Sequence, residues 1–219
     1  MSLLVQSYHA LGAKRQRQWR MVRPFVPRRV RWLFEGCLEV PGQLWYIDRK
    51  LLYGAIREHK PRTVFEVGTW YGGGSTYFIS QALYENGGGV LHTIEENVEA
   101  HARAKENYAR YLRHLLPHVV FHQGKSTEVY PALLREPATV DAVFLDGGQD
   151  AKQTMTEFEM FAPHLGPGTL LLAHDWDNEK MELLRPKLEA SMEWKLLARA
   201  TAPESVGFVV WMKKVASGE

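Results

Sequence analysis

Residues 65–76 read Phe-Glu-Val-Gly-Thr-Trp-Tyr-Gly-Gly-Gly-Ser-Thr, and no other segment restricts the folds open to this chain so much. A short apolar run closes on an acid, Glu66, and passes into Gly68, Gly72, Gly73 and Gly74 before small residues open a helix. Glycine permits sharp turns at positive φ and lets a ligand approach the backbone without a Cβ in the way. A strand that feeds such a loop and then a helix N-terminus is the entrance to a nucleotide-type pocket in an open α/β sheet.

The rest of the chain repeats that alternation of periods. Leu44, Ile47, Leu51 and Ala55 fall on one helical face, with Trp45, Leu52 and Ile56 beside them. Strands are predicted at Thr63–Val67, Val90–Glu95, Val119–His122, Ala142–Leu145 and Leu170–Ala173, the last introduced by the turn Gly166-Pro167-Gly168. Helices are predicted over Ser75–Glu85, Val98–Leu116, Thr127–Leu134, around Met155, Phe158 and Phe161, and over Asn178–Ala190, with Pro186 shortening or kinking the last. Trp194–Arg199 and Gly207–Met212 read as an antiparallel pair. The expectation is an α/β, doubly wound, Rossmann-like sheet of seven strands, mostly parallel with an antiparallel C-terminal hairpin.

Charge divides the chain. Residues 1–34 hold Lys14, Arg15, Arg17, Arg20, Arg23, Arg28, Arg29 and Arg31 and no acid, leaving 19 basic against 25 acidic side chains in the remainder, a balance of −6. Residues 1–40 are therefore expected as a basic arm, interrupted by Pro24 and Pro27, and 41–219 as the catalytic domain. The arm suits an acidic partner, a phosphate-rich surface or the acidic body itself; Trp19, Phe25, Trp32 and Phe34 point to packing of part of it. With one cysteine, Cys37, an internal disulfide is excluded. No run has the length of a membrane span and Met1–Leu11 lacks the features of a secretory signal, so a cytoplasmic location is expected.

The glycine loop departs from the NAD fingerprint G-x-G-x-x-G, because Gly72-x-Gly74 is followed by Tyr77 where the third glycine belongs. E-x-G-x-x-x-G suits instead a ligand with a cationic amine and a sulfonium but no pyrophosphate, S-adenosylmethionine (SAM). Glu66, Gly68, Gly72 and Ser75 are candidates for its amino-acid end. Glu95, 21 residues beyond Gly74, stands where an acid meets the ribose hydroxyls, and Ser126 in Gly124-Lys125-Ser126-Thr127 suits an adenine edge. Asp146 and Asp175 close the fourth and fifth strands, so four strand ends carry acids toward the crevice where such sheets bind ligands. Helix capping is the alternative for Asn97, for Ser126 or Thr127, and for Asp175 or Asp177.

On these residues, from about 44 to 212, the chain resembles the class I SAM-dependent methyltransferases. It is most similar to the metal-assisted O-methyltransferases of the catechol and caffeoyl-CoA type and of the type that methylates macrolide sugars. The stretches that carry the resemblance are Glu66-Val67-Gly68 through Gly72, Thr93-Ile94-Glu95, Leu145-Asp146 and Leu172-Ala173-His174-Asp175. It implies transfer of a methyl group to a small hydroxylated acceptor, with a divalent ion such as Mg²⁺ at Asp146 and Asp175, and admits a homo-oligomer. Both branches place a lysine or histidine base three residues after the fourth-strand acid, where this chain has Gln149. Asp146, His174 and Asp150 remain as catalytic candidates. Two other readings stay open: a SAM-binding interaction module without transferase activity, and an NAD-dependent oxidoreductase.

Overall fold

The computed structural model describes residues 21, 23–25, 27–135, 139–200 and 205–215. Lys14, Arg15, Arg17, Trp19 and Arg20 of the basic arm lie outside the described residues. The chain divides into two compact units, Met1–Gly36 and Cys37–Glu219. In the first, a 3₁₀ turn at Arg23–Phe25 precedes helix α1, Arg28–Glu35, which starts directly after Pro27. A proline there forfeits no helical hydrogen bond. Arg23 Nε donates to Glu35 Oε1 at 2.5 Å.

The second unit begins with α2 (Tyr46–His59) and continues through β1 (Thr63–Val67), α3 (Ser75–Glu85), β2 (Val90–Glu95), α4 (Val98–Tyr111) and β3 (Val119–Gln123). Then come α5 (Ser126–Leu134), β4 (Val140–Leu145), α6 (Ala151–Phe161), β5 (Leu165–His174), α7 (Leu184–Glu189), β6 (Trp194–Arg199) and β7 (Phe208–Lys213). The seven strands order as β3-β2-β1-β4-β5-β7-β6, with β1 to β5 parallel and β7 antiparallel to both β5 and β6. Strand order reverses at β1 and β4, and such a reversal opens a crevice at the carboxyl ends. Helices cover both faces, α2 packing with α3 and α6 with α5 and α7.

Several predicted elements are shortened or lengthened for local reasons. The helix expected to reach Leu116 stops at Tyr111 and continues as a 3₁₀ segment, Arg113–His118. Pro117 lacks the N–H of a further turn and disfavours helical geometry at Leu116. Gly166-Pro167-Gly168 does not precede β5 but bulges within it: Val140 pairs with Leu165 while Ala142 pairs with Leu170. The helix expected over Asn178–Ala190 is a 3₁₀ turn at Glu179–Met181 followed by α7, where Pro186 occupies the tolerant first turn.

On α2 the buried residues are Asp48, Leu52, Ala55 and Ile56, a face rotated from the expected one and including an acid. An extensive apolar cluster lies between the sheet and α5 to α7, where Phe65, Tyr130, Val143, Leu145, Phe158, Phe161 and Trp176 are buried. Alternation along β1 turns Phe65 and Val67 toward that cluster and Val64 and Glu66 the other way.

The glycine loop is pressed against the chain that leads into α2. Gly73 N–H donates to Pro41 O at 3.1 Å, and a Cβ on Gly73 would stand 2.1 Å from Val40 O. Backbone crosses backbone there, so nothing flexible can yield. Gly73→Ala is expected to cost about 2 kcal/mol, the middle of the range for overpacking. For a chain of this size that lowers Tm by about 4–8 °C, readable by thermal melting.

Candidate active site

Four parallel strand ends converge on one cavity of about 450 Å³, lined among others by Gly68, Glu95, Gly124, Ser126, Gly147 and Gln149. Gly68 takes φ +103°, a conformation that favours glycine, and a Cβ on it would lie 3.1 Å from Gly147 N, so the β1 and β4 loops meet closely there. Glu95 is fixed by two backbone donors, Trp70 N–H to Oε2 at 2.8 Å and Asn97 N–H to Oε1 at 2.9 Å. Each of its oxygens keeps a lone pair for a ligand hydroxyl. Asn97 caps α4 by accepting from Ala100 N–H at 2.9 Å, as the capping alternative foresaw.

Ser126 does not cap α5. It sits in the first turn and donates to Glu157 Oε1 at 3.0 Å, while the N-cap, Lys125, makes no side-chain capping bond. Glu157, on the inner face of α6, borders the same cavity; burial pushes its carboxyl up, against the opposing hydrogen bonds of Ser126 and Gln153.

Glu66, Gly72 and Ser75 are not in the cavity wall but under the loop. Glu66 Oε2 accepts from Thr76 Oγ1 at 2.7 Å and Thr93 Oγ1 at 2.6 Å. Burial raises its pKa to about 7, against the opposing hydrogen bonds of Ser75, Thr93 and Thr76. Gly72 faces the Tyr108 ring, which would meet a Cβ at 2.9 Å.

Beyond Asp146 the β4 and β5 ends carry a compact ionic cluster. His174 Nδ1 lies 3.2 Å from Asp146 Oδ1 and 3.6 Å from Asp175 Oδ1, and its Nε2 lies 3.5 Å from Asp48 Oδ2 on α2. Burial works against the imidazolium, but the hydrogen bond to Asp146, the facing Asp48 carboxylate and the charges of Asp146 and Asp175 outweigh it and raise the pKa to about 10. Lys180 Nζ reaches Asp146 Oδ1 at 3.0 Å and Asp175 Oδ2 at 2.6 Å. Burial alone would lift the Asp146 carboxyl; His174 and Lys180 hold it below its ordinary value. Asp175 adopts φ +57°, a left-handed conformation uncommon outside glycine, and neither it nor Asp177 caps the following turn, whose N-cap is Asn178. Asp150 is the N-cap of α6, its Oδ1 accepting from Gln153 N–H at 2.9 Å, and Gln149 is exposed at the cavity edge.

Asp48 and Lys180 were not among the sequence candidates. The signal for Asp48 was an acid at helical spacing from Leu52 and Ala55; that for Lys180 was a lysine five residues past a strand-end acid, which sequence does not separate from a surface charge.

A family model described as a methyltransferase domain matches residues 65–176, half of the chain and the whole span from the glycine loop to the fifth-strand acids. The chain belongs to this family. It is a class I, SAM-dependent methyltransferase by family and fold.

No curated protein matches the methyltransferase at a significant level. Among solved structures it is similar to an O-methyltransferase from Bacillus cereus in complex with S-adenosylhomocysteine, at 18% identity and a TM-score of 0.66, covering 78% of this chain and 83% of that one. TomG from Streptomyces achromogenes, an O-methyltransferase involved in tomaymycin synthesis and solved with SAM, matches at 19% identity and a TM-score of 0.65, covering 79% and 82%. The S-adenosylhomocysteine-bound Podospora anserina methyltransferase PaMTH1 matches at 14% and 0.61, covering 79% and 80%. At such identities the likeness establishes the fold.

Glu66 gives the methyltransferase a pH signature. Its carboxyl has a folded pKa of about 7 against an ordinary value of 4.5. The folded state therefore binds a proton more tightly than the unfolded one. Stability linked to this group is complete below pH 4.5, falls as pH rises toward 7, and is level beyond. Glu66→Gln removes that loss. The variant should melt several degrees above the wild type at pH 8, by on the order of 3 kcal/mol, with the gap closing toward pH 4.5. Equal melting temperatures across that range would show that Glu66 is not strained by burial.

Proposed function

We propose that this methyltransferase moves the methyl group of SAM to a hydroxyl of a small-molecule acceptor. The observation that carries the reading is the fixed Glu95 carboxylate on a cavity that extends to Gly147, the residue after Asp146 and its ionic cluster. Glu95 accepts the two ribose hydroxyls, the Gly124–Ser126 turn borders the adenine, and Gly68 lets the backbone approach the amino-acid end, while Gly72 shapes the loop by making room for Tyr108. Ser75 and Glu66 support that loop from below. Two of the similar structures described as O-methyltransferases hold SAM or its product, which agrees with the assignment.

Asp146, His174 and Asp175 each offer a ligand atom, all within 4.8 Å of one another, so a divalent ion has to be tested against them. The chemistry of the donor set fits such an ion poorly. Both ring nitrogens of His174 face carboxylates, which leaves no lone pair directed at a metal, and the two acids already share the Lys180 ammonium. The chain's own groups orient the acceptor: Lys180 directs an N–H at its oxygen, His174 holds Asp146 in place through Nδ1, and Asp146, with Oδ1 engaged, keeps Oδ2 to take the hydroxyl proton. The C–S bond of the sulfonium breaks as the O–C bond forms in line, and most of the acceleration comes from alignment in a dry site. His174 carries its proton at neutral pH and serves as a donor rather than as the base. Cytoplasmic operation accords with a single cysteine, and the basic arm is the segment suited to an acidic partner.

Calorimetric titration with SAM and with NADH tests the donor. SAM should bind and NADH should not; the reverse result sinks the assignment. Glu95→Ala removes two charge-assisted hydrogen bonds and should weaken SAM binding by about 10- to 100-fold. Transfer to a panel of catechols and sugars then separates the enzyme from a binding module, since intact SAM binding with no transfer to any acceptor favours the module.

A further inference from the structure

We propose that Lys180 is the built-in counter-ion of the strand-end acids, standing where a divalent ion would have to stand, so that this methyltransferase orients its acceptor oxygen with an ammonium in place of a metal. The activity arm of the proposal rests on the reading of the protein as an O-methyltransferase; the binding arm does not.

Distances make the exclusion. A hard divalent ion needs carboxylate oxygens at about 2.0–2.6 Å. The ammonium of Lys180 already lies 2.6 Å from Asp175 Oδ2 and 3.0 Å from Asp146 Oδ1, with the Asp146 carbonyl oxygen at 3.4 Å. A cation that bridges the same two oxygens falls inside the volume of that ammonium. One must leave for the other to enter.

Lys180 is also anchored. It sits on the 3₁₀ turn Glu179–Met181, which packs on α6, and the neighbouring Met181 is fully buried in the main apolar cluster. Its own side chain is only 12% exposed. The residue is thus set into the fold beneath the β5 end and does not sweep the surface as a solvated lysine does.

The acids are as firmly held. Asp175 is fixed in its left-handed conformation because the next residues are tied down: Trp176 N–H donates to Gly207 O at 3.0 Å and Asp177 N–H to Val206 O at 3.2 Å. His174, the third group of the cluster, is bracketed by Asp146 and by Asp48, whose Oδ1 in turn accepts from Ser205 Oγ at 2.7 Å. Among the described residues, a metal would meet two fixed cationic groups and the carboxylates of Asp146 and Asp175. The ammonium meets the same two acids with matched donors, and the longest of its three contacts, 3.4 Å to the Asp146 carbonyl oxygen, is the one an acceptor oxygen can displace. In this arrangement Lys180 is a positioning and charge-balancing group for the acceptor, in the role for which a Lewis acid is otherwise used.

The test uses the full-length protein and Mn²⁺, whose free-ion electron paramagnetic resonance signal disappears on binding. Wild type should leave the Mn²⁺ signal unchanged up to millimolar ion, and its methyl transfer should be equal with and without EDTA. Lys180→Met frees both carboxylates and should bind Mn²⁺ at least tenfold more tightly than wild type. Its transfer in EDTA should fall by about 100-fold, with kcat rather than the KM for SAM affected, and recover in part when Mn²⁺ is added. Lys180→Arg, which keeps the positive charge, should stay blind to Mn²⁺. The proposal is overturned if wild type binds Mn²⁺ as tightly as Lys180→Met, or if EDTA abolishes wild-type transfer and Mg²⁺ restores it. It is equally overturned if Lys180→Met, folded and competent for SAM by calorimetry, gains no Mn²⁺ binding. Should Lys180→Met fail to fold, the wild-type and Lys180→Arg titrations still decide. Absence of transfer from wild type in every condition counts against the O-methyltransferase reading, while the Mn²⁺ titrations continue to judge Lys180.

Discussion

The imidazolium of His174, held between Asp146 and Asp48, is the interaction on which the geometry of the site depends. A charged group taken out of water is tolerated only when its partners replace the lost solvation. Here those partners come from β4 and α2, and Ser205, from the segment before β7, secures the second oxygen of Asp48. Four segments distant in sequence are thereby brought to one point at the carboxyl edge of the sheet. Removing one partner from such a buried pair typically costs about 3–5 kcal/mol, because the remaining charge is stranded. The cluster is therefore a joint of the fold as well as a chemical site.

A second constraint acts where the chain before α2 meets the glycine loop. Gly73 and Gly42 let the chain before α2 cross the glycine loop at backbone contact; a Cβ on Gly42 would lie 2.2 Å from Gly73 O. The same segment then runs into α2, which carries Asp48. One crossing of glycines thus sets both the shape of the cofactor loop and the approach of the helix that supplies a partner to His174. Two residues of the stretch from Glu66 to Ser75 serve the interior of the arrangement: Glu66 accepts from the hydroxyls of Thr76 and Thr93, and Gly72 makes room for Tyr108.

Most of the architecture was legible because it rests on local patterns. Short apolar runs at 63–67 and 90–95 become strands with the expected bounds, since buried parallel strands need little beyond length and apolarity. Boundaries failed where one residue outweighed periodicity, as with Pro117, or where a bulge disguised a strand as a turn, as with Gly166 to Gly168. Glu95 and Asp146 were legible as strand-end acids because the sheet itself dictates where they point. Lys180 and Asp48 were not: their meaning lies in side chains brought together across the fold, and neither spacing nor composition separates a buried ion-pairing lysine from an exposed one. Gln149 leaves the base unassigned in sequence, and the ionic groups at the neighbouring strand end come from β5 and the turn after it, where no spacing links them to residue 149.

Charge balance connects that cluster to the donor. Three carboxylates, Asp48, Asp146 and Asp175, face one imidazolium and one ammonium, which leaves a formal charge of −1 at the strand ends. A sulfonium donor is drawn to that sign, and once its methyl is transferred the sulfur is neutral and the attraction is gone. Exchange of the ammonium for a divalent ion would bring the balance to zero and withdraw that preference for the charged donor over the neutral product. An anchored lysine keeps the acids hydrogen-bonded and their excess negative charge intact at once, which is the physical reason for a chain to build its cation into the fold.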